Sequence, residues 1–203
     1  MKSEIEAKFP VSSFDDIRTT LQKVGAKLEQ PMRQMKRMTI DTVDMKSKSG
    51  FLRVRDEGDG KTTMTYKQCN KLSVDGTKEI EILVDDFDTA VELIKATISP
   101  MLRSSLQESR RETWKFGNVE IVLDEWPWLD PYLEIEAGSE NEVRQMAQEL
   151  GLDWKDALFG DVMAIYRHQY PHLGMRQTIG DLDNVRFNDP LPDLLKSTQP
   201  RQL

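Results

Sequence analysis

Charged and apolar residues alternate in short segments of this chain. The first segment is Glu4-Ile5-Glu6-Ala7-Lys8, in which charged residues occupy every second position. In a β-strand such residues project from one face, while Ile5, Ala7 and Phe9 project from the other. The pattern therefore predicts a strand with one charged face and one apolar face.

The same alternation returns in later segments of the chain. The charged positions are Arg53 and Arg55 in FLRVR, Lys67 in MTYKQ, Glu79 and Glu81 in KEIEILV, and Glu134 and Glu136 in YLEIEA. Together with turn residues such as Gly117-Asn118, the pattern predicts strands at residues 4–8, 33–42, 51–56, 62–69, 78–84, 109–116, 118–124 and 132–137.

Apolar residues at helical spacing predict helices between and after these strands. The predicted helices cover residues 12–27, 86–98, 139–150 and 157–168. Ser13 with Asp16, and Ser139 with Glu142, have the spacing of a capping box. Because strands and helices do not alternate regularly, the order indicates an antiparallel α+β fold.

The sequence pattern changes at Pro171. From this residue onward the chain has four prolines, Pro171 included, and no sustained hydrophobic period, which predicts a largely irregular C-terminal arm. We therefore expect one domain at residues 1–170 and an arm at residues 171–203.

Composition narrows the classes of function. The 203 residues carry a net charge of -7 with a pI near 5.0, which argues against a non-specific nucleic-acid or anionic-membrane binder. We find no apolar run of transmembrane length and no signal-peptide pattern at the N-terminus. Cys69 is the only cysteine, so no intrachain disulfide or thiolate cluster can form. These features predict a cytoplasmic protein.

The charged faces of the strands can point either to bulk water or into a closed barrel. Glu and Arg dominate these positions, and like charges repeat within one strand, as in Glu4/Glu6 and Arg53/Arg55. Such pairs repel unless counter-charges lie nearby. The amphipathic helices also need an apolar surface to cover. Taken together, the charged positions and the amphipathic helices favour a closed antiparallel barrel with a charged interior and helices outside.

A barrel lined with both carboxylates and guanidinium groups has a specific chemistry. Clustered carboxylates suit a hard divalent cation, Mg²⁺ or Mn²⁺. Arginines suit phosphate oxygens, which they bind in bidentate fashion. A metal-bound triphosphate satisfies both requirements.

The charged strands also resemble a known family. Glu4-Ile5-Glu6-Ala7-Lys8 is similar to the ExExK signature of CYTH proteins, or triphosphate tunnel metalloenzymes. That family includes class IV adenylyl cyclases, thiamine triphosphatases and inorganic triphosphatases. The resemblance continues in order through LRVR, TYKQ, KEIEI, RRETW, VEIVLDEW and YLEIEA, over about residues 1–170. It implies a closed antiparallel tunnel of eight strands.

The resemblance also implies roles for individual residues. The implied metal ligands are Glu4, Glu6, Asp124, Glu134 and Glu136. The implied phosphate-binding residues are Lys8, Arg53, Arg55, Lys67 and Arg111. Glu79, Glu81 and Asp124 are implied tunnel acids, and Glu4, Glu6, Lys8 and Glu136 are implied catalytic residues.

The second predicted strand departs from the family pattern. Many relatives have an aromatic residue in a D-x-Y-F-D motif, where this chain has Met38-Thr39-Ile40-Asp41. Because of this departure, the resemblance does not indicate how the nucleotide base or other non-phosphate end of a substrate is recognised. The triphosphate site is not affected. The orientation of Arg37, in the same strand, is left open between inward and outward, and the residue is not included in the predicted site. Trp126 and Trp128 are expected to pack outside the barrel.

These observations predict a divalent-metal-dependent phosphohydrolase that acts on a small-molecule nucleoside, thiamine or inorganic triphosphate. One alternative is a class IV adenylyl cyclase, which forms cyclic AMP and pyrophosphate from ATP. A second alternative is a non-catalytic triphosphate or polyphosphate sensor. No nucleic-acid or membrane partner is expected, and the oligomeric state is left open between monomer and homodimer.

Overall fold

The alternating segments form the strands of one sheet. The computed structural model describes residues 1–69 and 71–196. Its strands are β1 (Lys2–Glu4), β2 (Glu6–Pro10), β3 (Lys27–Asp41), β4 (Gly50–Asp56), β5 (Thr62–Cys69), β6 (Thr77–Val84), β7 (Arg103–Phe116), β8 (Val119–Glu125), β9 (Tyr132–Glu136) and β10 (Asn184–Val185). The first nine pair antiparallel in the order β1-β6-β5-β4-β3-β7-β8-β9-β2.

The N-terminal segment closes this sheet into a barrel. β1 and β2 lie at opposite ends of the strand order, yet only Ile5 separates them in the chain. β1 pairs with β6, and β2 pairs with β9. Counted as one interrupted strand, they complete the predicted antiparallel barrel of eight strands; counted separately, they make nine. The predicted α+β barrel is confirmed.

β3 and β7 are longer than the sequence pattern predicts. Their additional halves, residues 27–32 and 103–108, do not alternate charged and apolar residues. The two strands pair with each other along most of their length, with irregularities near Gln30. This long-range pairing supplies the hydrogen bonds that hold both segments extended.

Five α-helices accompany the barrel in the described residues. They are α1 (Phe14–Val24), α2 (Val43–Ser47), α3 (Phe87–Thr97), α4 (Glu140–Glu149) and α5 (Met163–Gln169). Ser13 and Ser139 cap α1 and α4 by accepting hydrogen bonds from the backbone N–H groups of Asp15 and Glu142. No helix of the described chain is long and apolar enough to cross a membrane.

Two helix assignments differ from the prediction. The short helix α2 was not predicted. The last predicted helix, 157–168, was wrong at its start, because α5 begins only at Met163. The preceding backbone serves the barrel instead: Leu158 and Lys8 exchange two backbone hydrogen bonds of 2.8 and 2.9 Å.

The main hydrophobic core lies between the outer face of β2, β8 and β9 and the helices α1 and α4. Its fully buried members include Ala7, Phe9, Leu21, Ile121, Leu123, Leu133, Ile135 and Val143. Helix α3 covers another part of the barrel, where Phe87, Val91 and Ile94 pack against Ile40 and Val54. The apolar strand faces are thus covered by helices, which leaves the opposite faces to line the interior.

Residues after α5 form a second core at one end of the barrel. Leu173, Ile179, Val185 and Leu195 are buried together with Tyr166 and neighbouring residues. β10 pairs parallel with β7 at Leu106 and Gln107. Short 3₁₀ turns interrupt this segment, and its end, residues 197–203, lies outside the described residues.

Candidate functional site

Strand alternation turns the charged side chains into the barrel, where they line a cavity of about 370 Å³. The structure brings all the sequence-predicted site residues to this cavity: Glu4, Glu6, Lys8, Arg53, Arg55, Lys67, Glu79, Glu81, Arg111, Asp124, Glu134 and Glu136. Several of them are deeply buried, with Glu4 6%, Lys8 4% and Asp124 1% exposed. The structure thus gives the location of these residues at the cavity, while the role of each one stays a prediction.

Four carboxylates form what we call the acidic side of the cavity: Glu4, Glu6, Glu134 and Glu136. Lys8 lies among them, with its Nζ 2.8 Å from Glu6 Oε1 and 3.0 Å from Glu134 Oε2. The pairing of β2 with β9 places Lys8 opposite Glu134 and Glu6 opposite Glu136. One ammonium therefore neutralises charge on two strands.

Lys67 makes the second set of contacts to carboxylates. Its Nζ lies 2.8 Å from both carboxylate oxygens of Glu4 and 3.5 Å from Glu79 Oε2. Glu79 is the cross-strand partner of Lys67. The contacts join β1, β5 and β6 inside the barrel.

The two lysines do not neutralise the acidic side completely. Burial, and then the negative charges of Glu134 and Glu4, raise the pKa of Glu136 to about 7. Burial and the neighbouring Glu134 raise the pKa of Glu6 as well. Although burial opposes ionisation of Glu134, Lys8 and Arg111 hold the pKa of that carboxyl well below its usual range. Near neutral pH the raised pKa values favour the protonated forms of Glu6 and Glu136, and a cation bound beside them would displace those protons.

Four guanidinium groups form the opposite, arginine side: Arg37, Arg53, Arg55 and Arg111. Arg111 makes a bidentate pair with Asp124, with nitrogen–oxygen distances of 2.7 and 2.6 Å. Tyr132 donates a further hydrogen bond of 3.2 Å to Asp124. Both oxygens of Asp124 are thus engaged, so its part as a metal ligand stays a prediction.

The β4 arginines are less fully paired. Arg55 Nε lies 2.7 Å from Glu57 Oε1. Arg53 reaches Glu81 only at 3.4 Å, and its buried Nε has no hydrogen-bond partner in the described chain. Burial, and then the neighbouring Arg55, lower the pKa of Arg53 to about 10.

Arg37 and Trp126 are cavity residues that the sequence prediction missed. Arg37 is the direct cross-strand partner of Arg55, so both side chains project from the same face. The Arg37 guanidinium lies 4.3 Å from the centre of the Trp126 ring. The expectation that Trp126 packs outside the barrel was therefore wrong. The residue follows the last alternating position of β8, where periodicity no longer indicates a face.

A comparison with family models agrees with this charged tunnel. The model of the CYTH domain matches residues 2–158. The chain belongs to the CYTH domain family. The match covers the whole β1–β9 barrel and ends before α5.

Solved structures of other proteins share this fold. The PH1012 protein from Pyrococcus horikoshii OT3 is 27% identical, with a TM-score of 0.64 over 76% of this chain and 93% of its own. A protein from Vibrio parahaemolyticus, described as a proposed adenylate cyclase, is 15% identical, with a TM-score of 0.68 over 81% and 97%. HpAC1 from Hippeastrum is 17% identical, with a TM-score of 0.55 over 82% and 96%. No curated protein matches the chain.

The acidic side of this CYTH protein suits a divalent cation in its donor chemistry, since its four carboxyl groups offer oxygen ligands. As arranged here, however, no three Asp, Glu, His or Cys side chains of the described residues converge closely enough to hold a metal ion. Lys8 and Lys67 contact the carboxylates instead. The residues therefore fit a metal in their donor chemistry, while in this arrangement the lysine ammonium groups are the cations that they contact.

The C-terminal segment lines one end of the cavity. Thr178, Ile179 and Gly180 contribute to its wall, as do residues 161–163. Arg103 holds this segment in place, because its guanidinium contacts both Asp41 of β3 and Asp181. The segment beyond the CYTH match therefore shapes the space beside the arginine side.

Proposed function

We propose that this CYTH protein is a divalent-metal-dependent phosphohydrolase whose substrate is a small-molecule triphosphate. The observation that carries the proposal is the presence of both kinds of charged group in one cavity: the four carboxyls of the acidic side and the guanidinium groups of Arg53, Arg55 and Arg111 line the same space. The buried Nε of Arg53 has no hydrogen-bond partner in the described chain. Metal-bound triphosphate complements both sides, because it presents a cation to one and phosphate oxygens to the other.

The strength of the electrostatic attraction supports an anion of high charge. A triphosphate carries about four negative charges, and a close pair of unit charges gains about 4 kcal/mol at an effective dielectric near 20, before desolvation. Arg53, Arg55 and Arg111 each bring a guanidinium to the cavity. Several such contacts together offset the cost of removing the phosphates from water, whereas one contact would not.

The residues of the chain divide the work of binding and orientation. In the proposal, Arg53, Arg55, Arg111 and Lys67 bind phosphate oxygens. Asp124 fixes the plane of the Arg111 guanidinium through its bidentate contact. The carboxylates of Glu4, Glu6, Glu134 and Glu136 would hold Mg²⁺ or Mn²⁺ and orient the attacking water. When bound, the cation would neutralise charge on the phosphate oxygens and make the bound water more acidic.

Relatives are consistent with this chemistry without deciding it. CYTH proteins act on triphosphates, as triphosphatases or adenylyl cyclases, and are generally metal-dependent. The structure of HpAC1 is described as revealing a dominant triphosphatase activity, but at 17% identity the likeness shows the fold alone. The class IV adenylyl cyclase reaction uses the same kind of site and differs in which phosphorus faces the nucleophile.

Product analysis tests the proposal. The purified protein is incubated with Mg²⁺ or Mn²⁺ and, separately, ATP, thiamine triphosphate or tripolyphosphate. We expect release of orthophosphate from at least one of them, and no release with EDTA. Cyclic AMP with pyrophosphate would instead identify a cyclase, and tight binding without turnover would identify a sensor.

Carboxylate variants supply the matched test of the site. Glu6→Gln and Glu136→Gln keep side-chain size but remove an ionisable carboxyl that would hold the cation, so we expect each to lose at least about tenfold in kcat. Glu125→Gln is the control, because Glu125 contacts Arg110 on the exposed side of β8. Wild-type rates in both acidic-side variants would contradict the assigned metal site.

A further inference from the structure

Arg37 is a buried arginine with no part in the function proposed so far. Its residue is 7% exposed and lines the cavity. No carboxylate of the described chain lies within ion-pair distance of it, whereas Arg53, Arg55 and Arg111 each have such a partner. Its Nε is buried, and among the described residues no acceptor lies within hydrogen-bond distance of its N–H group.

The surroundings of Arg37 hold it in place without neutralising its charge. Its Nη2 donates a hydrogen bond of 2.7 Å to Ser109 Oγ on β7. The Trp126 ring, 4.3 Å from the guanidinium carbon, provides a flat cation–π surface. Two neutral contacts, one on β7 and one just after the end of β8, thus fix the orientation of a cation among other cations.

An arginine in this position is unfavourable unless an anion binds. Burial, and then the positive charges of Arg55, Arg53 and Arg111, lower the pKa of Arg37 well below its usual range. Arg53 shares the same feature of a buried Nε without a partner. Two neighbouring guanidinium groups on β3 and β4 therefore both offer unused donors at the wall of one cavity.

We propose that Arg37 is a substrate-binding residue of this protein, which donates to a phosphate oxygen beside Arg53 and Arg55 and is oriented for this by Trp126 and Ser109. The inference rests on the proposed triphosphate function and deepens it. It adds a fourth guanidinium to the phosphate-binding set and assigns Trp126 a positioning role inside the tunnel. It also explains why an unpaired arginine is buried: its counter-charge is the substrate.

The test compares Arg37→Gln and Arg37→Lys with Arg110→Gln. Arg110 is a matched control, since its guanidinium also lies 4.3 Å from an aromatic ring, Phe187, but its side chain is exposed and outside the cavity. Affinity for tripolyphosphate is measured by calorimetry, with EDTA and again with Mg²⁺. The thermal midpoint of each protein without ligand is measured in parallel.

We expect Arg37→Gln to weaken tripolyphosphate binding by at least about tenfold, because a charge-assisted hydrogen bond is lost. Arg37→Lys keeps the charge but not the planar donor set, so its affinity should fall between the two. Arg110→Gln should bind as the wild type does. Without ligand, Arg37→Gln should unfold at or above the wild-type temperature, because the substitution removes repulsion.

A purely structural role makes the opposite prediction. It requires a lower thermal midpoint for Arg37→Gln and unchanged affinity of the folded protein, and that result would overturn the inference. The calorimetric readout needs no turnover. A wild type that binds tripolyphosphate through Arg37 but hydrolyses nothing would refute the hydrolase and leave the role of Arg37 standing, whereas no binding by the wild type would refute both.

Discussion

Lys8 is the residue on which the charge balance of the acidic side depends most. The residue is 4% exposed and its ammonium contacts both Glu6 and Glu134. Despite burial, these two carboxylates together raise the pKa of Lys8. Each of the two carboxylates has lost most of its hydration. Among the described residues, removing the lysine would leave neither carboxylate with an ion-pair partner.

We predict that Lys8→Met destabilises the folded protein by about 3 to 5 kcal/mol, since breaking a buried ion pair leaves an uncompensated buried charge. Urea unfolding measures the change. Lys115→Met is the control: Lys115 lies 2.8 Å from Glu120, but its side chain is 38% exposed, so the loss should be under about 1 kcal/mol. Equal losses in the two variants would contradict the importance of Lys8.

At the residue scale, the sequence predicted most of the residues that line the cavity, but it did not predict that Arg37 is one of them. Residues such as Glu4 and Glu134 lie in strands whose apolar positions reveal the face that each charge occupies. The segment RQMKRMTIDT around Arg37 has charged and apolar residues on both faces, so its orientation follows only from pairing with β4. Sequence alone could not show that Arg37 lies opposite Arg55 or that Trp126 covers it.

At the scale of elements, helices α1 and α4 stabilise the barrel by covering the outer face of β2, β8 and β9. Leu21 of α1 is fully buried in this core. Leu93 of α3, although also a helical leucine, is 63% exposed. Substituting these two leucines by alanine separates the contribution of core packing to stability from that of helix propensity.

We predict that Leu21→Ala lowers the free energy of unfolding by about 2 to 5 kcal/mol, because it removes buried apolar surface and leaves a cavity. Leu93→Ala should change stability by no more than about 0.5 kcal/mol. Chemical denaturation of both variants checks the difference. A similar loss for the two would mean that α1 does not form the core described here.

Elements with a clear period were predicted with nearly correct bounds, and elements defined by long-range pairing were not. The helices that became α1 and α4 follow from apolar spacing and their caps. The first half of β7 could not be recognised, because its buried positions, Ser105 and Gln107, are polar and face the interior. The late start of α5 depends on the backbone contact between Leu158 and Lys8, which are distant in the sequence.

At the scale of the whole molecule, the barrel separates opposite charges across one cavity. The chain is acidic overall, with a net charge of -7, yet its cavity holds a cluster of arginines. The net charge suits a small anionic ligand that enters a local basic site better than a nucleic acid, which would need a basic surface. The division into residues 1–170 and an arm, and the cytoplasmic location, stay predictions.

The central claim is that both sides of the cavity bind one metal-bound triphosphate, and thermal unfolding of the wild type tests it most directly. Midpoints are compared for Mg²⁺ alone, tripolyphosphate alone, and the two together. Because ligands that bind the folded state cooperatively reinforce each other's stabilisation, we predict a joint shift larger than the sum of the separate shifts. A joint shift no larger than the greater of the separate shifts would contradict the account.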